Sequence, residues 1–123
     1  MAYILKNVFS KSPKVLMIDG KNVIGNCTYS IINDTNACIN NLYIEPEYRN
    51  NDNGSCLLRY TENILETKYN IKTTSLLAYE PETCNLRIFF QKNGYTIDDS
   101  KKIETFDDGQ KVFNLIPMIK NIK

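Results

Sequence analysis

The stretch ACINNLYIEPEYRNNDNGSCLLRYTENILETKY, Ala37–Tyr69, constrains the fold of this chain more than any other. Its first part, Ala37 to Glu45, holds apolar residues in partial alternation and predicts a strand. Pro46 ends that strand, because proline cannot donate to a ladder. Polar, turn-prone residues follow. Then Leu57, Leu58, Ile64 and Leu65 recur at helical spacing, with Glu62, Glu66 and Lys68 on the other side, predicting an amphipathic helix from about Ser55 to Tyr69.

The flanking sequence extends this pattern. KVLMIDG (Lys14–Gly20) and NVIGNCTYSII (Asn22–Ile32) read as two strands joined at Gly20-Lys21. NDTN (Asn33–Asn36) is a second turn. TTSLLAYE (Thr73–Glu80) reads as a strand buried on both faces and closed by Pro81. ETCNLRIFFQKNG (Glu82–Gly94) reads as a second helix, with Leu86, Phe89 and Phe90 inward and Asn93-Gly94 as its stop. Two last strands, near Tyr95–Ile97 and Lys111–Ile116, flank a charged hairpin. The expected order is β-β-β-α-β-α-β-β, an α/β (α+β) chain with a mixed central sheet and two main helices. It forms one domain over residues 1–123.

Composition narrows the function classes. With 42% apolar and 24% charged residues, the chain has the make-up of a globular protein. A net charge of +1 makes no electrostatic case for nucleic acid or an anionic membrane. No apolar run approaches the roughly 18–20 residues that span a bilayer. The N-terminus lacks a signal peptide's apolar segment, so a cytoplasmic protein is expected. There is no histidine, which excludes Ser-His-Asp and Cys-His catalysis and His-ligated metals. Cys27, Cys38, Cys56 and Cys84 form no CxxC pair, so no metal site is expected and the thiols are taken as reduced and mostly buried.

The turn Glu47–Ser55 is the candidate site. Helix N-termini expose backbone N–H groups and a partial positive charge, and so hold phosphates. Gly54 and Ser55 suit such a site, and Arg49 could add a charge-assisted contact. A polar turn before a helix capped by Asp52 or Asn53 accounts for the same residues.

The order of strand, LYIEPEYR, four residues, GS, amphipathic helix, strand and then FFQKNGY resembles the GCN5-related N-acetyltransferase (GNAT) family over about Lys14 to Tyr95. Arg49, Gly54 and Ser55 match the family's Arg/Gln-x-x-Gly-x-Gly/Ala loop. Phe89 to Tyr95 match its FYEKxGF-like motif. The resemblance implies an acetyl-CoA-dependent transfer of an acetyl group to an amine by direct attack, with coenzyme A as product. The acceptor would be a small molecule or an exposed protein or peptide amine. By the same resemblance, backbone at Leu42, Tyr43 and Ile44 would pair with the pantetheine arm, and the amides of Asn50, Asn51, Asp52, Asn53, Gly54 and Ser55 would cradle the pyrophosphate.

The match departs from the family at named positions. Asp52 replaces the loop's earlier glycine. Phe90 replaces the tyrosine that often protonates the leaving thiolate. Thr83 replaces an asparagine, with Asn85 close by. Only about a dozen residues precede the first expected strand, where the family usually has a strand and two helices, so the acceptor side is short, open or completed by a homodimer partner. Tyr79 and Glu80, at the end of a strand, are the candidate acid and base, and Glu80 also suits a plain surface turn. Asn40 and Asn41 stand where the polyamine-acetylating branch places acids, so a polycationic acceptor is not supported. A GNAT-fold binding module without catalysis is the alternative.

Overall fold

The computed structural model describes residues 3–81 and 86–123, with backbone alone considered at 80 and 81. The chain divides into two compact units, residues 1–74 with 122–123, and residues 75–121.

The first unit is a helix packed on an antiparallel meander. Its strands are β1 (Ile4–Val8), β2 (Lys14–Asp19), β3 (Asn22–Ile31) and β4 (Asn36–Ile44), each antiparallel to the next. β1 lies within the segment expected to precede the first strand. The β2–β3 turn uses Gly20 at φ 61°, a left-handed position that favours glycine. In the β3–β4 turn the Asn33 side chain accepts N–H bonds from Thr35 and Asn36.

β4 carries the irregularity that blurred its alternation. Thr28 pairs with Asn41 but Tyr29 pairs with Ile39, so Asn40 is an extra residue, a β-bulge. Before it, Ala37 and Ile39 face the core; after it, Ile44 does. The inward set switches from odd to even positions at the bulge. A second bulge leaves Ile24 extra between the Met17–Gly25 and Ile18–Val23 pairs.

α1 runs Asn53–Tyr69, two residues earlier than expected, so Gly54 and Ser55 lie inside its first turn. It packs against β1 to β4 and buries Leu57, Leu58, Ile64 and Leu65. Each such side chain contributes about 2 kcal/mol. Buried Thr61 bonds back to Leu57 O, so its hydroxyl is satisfied. Asn70, left-handed at φ 57°, ends the helix by donating its N–H to the Glu66 and Leu65 carbonyls.

The second unit contains β5 (Thr73–Pro81, whose first two residues belong to the first unit), α2 (Leu86–Lys92), β6 (Thr96–Ile97), β7 (Glu104–Asp107) and β8 (Val112–Asn121). β6 and β7 pair antiparallel with successive stretches of β8. β5 is not buried on both faces: Thr74, Leu76 and Ala78 are buried, while Leu77 and Tyr79 are exposed. It is a half-covered strand whose outer face happens to be apolar. β8 runs past the expected end near Ile116 and continues through Pro117, although proline lacks a ladder donor. The Pro117 carbonyl nevertheless accepts the Asp98 N–H. Asn93 and Gly94 (φ 93°) end α2 as expected, and Phe90 and Tyr95 are buried beside them.

The thiols are less buried than expected. Among the described cysteines Cys27 is buried, Cys38 intermediate and Cys56 exposed. Burial pushes the Cys27 thiol up to about 12. Among the described residues no helix is long and apolar enough to cross a membrane, and no three His, Cys, Asp or Glu side chains could hold a metal.

Candidate active site: the turn between β4 and α1

After Ile44 the chain makes one 3-10 turn, Pro46–Tyr48, and then reaches the start of α1. Three side chains brace this turn. Tyr48 donates its hydroxyl proton to Asp19 Oδ2 at 2.9 Å, tying the turn to the end of β2. That bond raises the Tyr48 phenol above its ordinary range. Asn53 Nδ2 donates to Tyr48 O at 2.8 Å. Arg49 Nε donates to Ile44 O at 2.7 Å, and its guanidinium lies 5.4 Å from the Tyr43 ring centre.

Between these braces the backbone changes hand twice. Asn50 (φ 66°) and Asp52 (φ 60°) are left-handed, while Asn51 between them is not. Asn and Asp tolerate this region better than other non-glycine residues. Turns of alternating hand direct successive N–H groups into anion-binding concavities. Asp52 occupies the N-cap position of α1, yet its side chain makes no capping bond. Neither does Asn53 cap the helix, since its amide is bonded to Tyr48 O and it is the first helical residue. The capped-turn explanation of these residues therefore fails at both positions.

The helix start thus carries no side-chain cap from Asp52 or Asn53. The first bond to the cap runs from Cys56 N–H to Asp52 O, so the amides ahead of Cys56 lie in the turn whose N–H groups have no acceptor within an α-helix. No acidic side chain lies in the first helical turn. Gly54 is helical and is not among the left-handed glycines, so no turn requires it there. Glycine costs about 1 kcal/mol relative to alanine inside a helix, and its use in the first turn fits close approach by a ligand to the backbone. These features suit an anion with several oxygens, such as a phosphate.

The expected strand residues lead into this turn. Leu42 is half-buried, Tyr43 is exposed and Ile44 is buried, and they pair with Cys27, Asn26 and Gly25 of β3. Gly25 holds the position. A Cβ there would lie 2.6 Å from Ile44 Cδ1 and 2.9 Å from Tyr43 O. The Ile44 carbonyl is engaged by Arg49, so Arg49 braces the strand end through Nε, and only its terminal amino groups are left to meet an anion.

Leu42 to Ser55 thus form one contiguous stretch of the first unit. The remaining candidates belong to the second unit. Tyr79 is exposed on β5 with its ring 4.3 Å from that of Phe113. Glu80 lies on β5. Thr83 and Asn85 lie outside the described residues. Phe90 is buried in an edge-to-face cluster with Phe89 and Tyr95, at 5.2 and 5.8 Å. It has no hydroxyl to serve as an acid.

Sequence reasoning missed three positioning residues. Asp19, Tyr48 and Gly25 set where the turn and the end of β4 lie. Gly25 had a signal, a lone glycine inside an apolar strand, which marks a bulge or close backbone approach. The Asp19–Tyr48 bond, between residues 29 apart, had none.

Residues 11–97 match the acetyltransferase (GNAT) domain family. Comparison with curated proteins gives no match. The PaiA N-acetyltransferase of Thermoplasma acidophilum, solved in complex with coenzyme A, is 26% identical with a TM-score of 0.65; the match covers 88% of this chain and 59% of that one. A GNAT acetyltransferase of Elizabethkingia anophelis with acetyl-CoA bound is 15% identical, with 89% and 76% covered and a TM-score of 0.68. The IAA acetyltransferase of Bacillus cereus is 13% identical, with 98% and 99% covered and a TM-score of 0.75. The chain thus spans 59% of the Thermoplasma protein's length but nearly all of the Bacillus one. With the family matched across both motifs and the fold shared with its solved members, this chain belongs to the GNAT acetyltransferase domain family.

Proposed function

We propose that this protein is an acetyl-CoA-dependent N-acetyltransferase acting on an amine of a small molecule or an exposed peptide. The start of α1 carries this conclusion. Its N-cap side chain makes no capping bond, its first turn holds no acidic side chain, and it is entered through a braced turn of alternating hand. The residues present fit a pyrophosphate there, with Asp52 the one unfavourable charge. The amides from Asn50 to Ser55 would hold the pyrophosphate, the terminal amino groups of Arg49 would add charge, and backbone from Leu42 to Ile44 would lie along the pantetheine arm.

Acetyl-CoA supplies the acyl group as a thioester. Attack by a neutral amine on its carbonyl carbon would break the C–S bond, and the thiolate released would take up a proton to give the coenzyme A thiol. A backbone N–H donor aimed at the carbonyl oxygen contributes about 10²- to 10³-fold in related acyl transfers. Glu80 or solvent would take the ammonium proton, and Tyr79 would be the candidate acid.

A second function, cofactor binding without turnover, is favoured by one observation. Phe90 is buried among aromatic rings where the family motif carries a phenol. Loss of a general acid costs about 10²- to 10⁴-fold, so activity would fall without being abolished.

Thermal melting with acetyl-CoA and coenzyme A tests both. A ligand at a hundredfold excess over its Kd stabilises the folded state by about 2.7 kcal/mol. For a chain of this size that is about 10 °C. No shift at millimolar cofactor overturns the proposal. A shift without thiol release across an amine panel selects the binding module.

A further inference from the structure

The second unit carries an exposed aromatic face that the pyrophosphate turn does not use. Leu77 and Tyr79 point outward from β5, with 59% and 40% of their surfaces exposed. The Tyr79 ring stacks on Phe113 of β8 at 4.3 Å and 45°, and Phe113 stacks on Phe106 of β7 at 5.0 Å and 38°. Phe106 is 50% exposed. The β7–β8 register pairs Phe106 with Phe113 and Glu104 with Leu115. Strand side chains alternate with period two, so Glu104 shares this face with Phe106, and Thr105 and Asn114 occupy the other. Thr105 and Asn114 indeed bond to each other there, at 3.1 Å. The face is thus a row of three rings, bordered at one end by Glu104 and at the other, just beyond the strands, by the Asp108 and Lys111 pair, a net negative rim.

The size of this face selects its occupant. Its apolar side chains expose roughly 300–400 Å², taking the usual areas of aromatic residues. That is a functional-sized patch on a monomer. It is less than half of the roughly 800 Å² per partner in a stable protein interface. It is ample for one aryl ring. Ring faces attract cations, and Glu104 adds a negative charge at the edge. An aryl carboxylate would be repelled by the same group.

We infer that this face binds an amine carrying an aryl or similarly flat apolar body. Saturation-transfer NMR on the full chain tests it with phenethylamine, 3-phenylpropanoate and spermidine as probes. Phenethylamine should receive saturation and the other two should not. Phe106→Ala should weaken phenethylamine about 3- to 10-fold, the effect of one lost ring contact. Glu104→Gln, which keeps the shape, should remove the preference for ammonium over carboxylate. Both positions are exposed, so each variant should melt within a few degrees of wild type. Equal binding of both charges, phenethylamine binding unchanged by Phe106→Ala, or self-association in sedimentation that Phe106→Ala abolishes would overturn the inference.

Discussion

Replacing Asp52 isolates the weakest feature of the pyrophosphate turn. Asp52 is left-handed at φ 60°, sits at the N-cap of α1 and makes no capping bond there. In Asp52→Gly three contributions to stability nearly cancel. Relief of the left-handed backbone favours the variant by about 1 kcal/mol. Greater freedom of the unfolded glycine opposes it by about 0.5–1 kcal/mol. Loss of the carboxylate at the helix start costs a further 0.3–1 kcal/mol or so. No hydrogen bond is lost, so the melting temperature should move by only a few degrees. Cofactor binding should respond more. Two unit charges about 4 Å apart in water interact by about 1 kcal/mol, so removing the repulsion should tighten coenzyme A about fivefold. Titration calorimetry of wild type, Asp52→Gly and Asp52→Asn reads this directly. Asp52→Asn removes the charge and keeps a side chain that tolerates the left-handed region, so it should give most of the gain. The gain should shrink at high salt, where exposed charges are screened. Unchanged or weaker coenzyme A binding in both variants would mean that Asp52 does not face the phosphates, and the site assignment would fall.

Other outcomes follow from single contacts. Gly54→Glu places a carboxylate in the first turn of α1 and should abolish the acetyl-CoA melting shift; normal binding by this variant would refute the helix-start site. Gly25→Ala drives a Cβ to 2.9 Å from Tyr43 O, so it should destabilise by about 1–3 kcal/mol and weaken coenzyme A, with melting and calorimetry as the checks. Iodoacetamide at pH 8 should modify exposed Cys56 first and reach Cys27, pushed up to about 12 by burial, only on unfolding; peptide mass spectrometry showing equal rates would contradict this. Asp108 accepts N–H bonds from Gln110 and Lys111, which lower its pKa from 3.8. A depressed folded value means that its stabilising contribution is present above the unfolded pKa and is lost as pH falls through the folded one. Gln110 and Lys111 amides should therefore lose protection from exchange below pH ~4, and Asp108→Ala should remove that step.

What was legible in the sequence was periodicity and punctuation, because both are local. Pro46, Gly20 and Asn93-Gly94 stop or turn the chain through their own backbone restrictions, whatever surrounds them. α1 was legible because its apolar stripe repeats over several turns. The misses arose where a distant partner decides the outcome. β1 is an edge strand of mixed residues, ILKNV, and shows no clean alternation of its own. β5 was expected to be buried twice over, but hydrophobicity reports what a face could bury, not whether anything covers it. The same error about Leu77 and Tyr79 exposed the aromatic face, so a mismatch between composition and burial became the lead to a binding surface. The bulge at Asn40 works in the opposite direction. It made β4 look like a poor strand, yet it is what lets Ile39 and Ile44, five positions apart, both face the core. Were Asn40 a paired residue in a strict period of two, Ile44 would turn to the surface and Tyr43 inward. The partial alternation of ACINNLYI was thus the local signature of the device that aims the end of β4 into the candidate site.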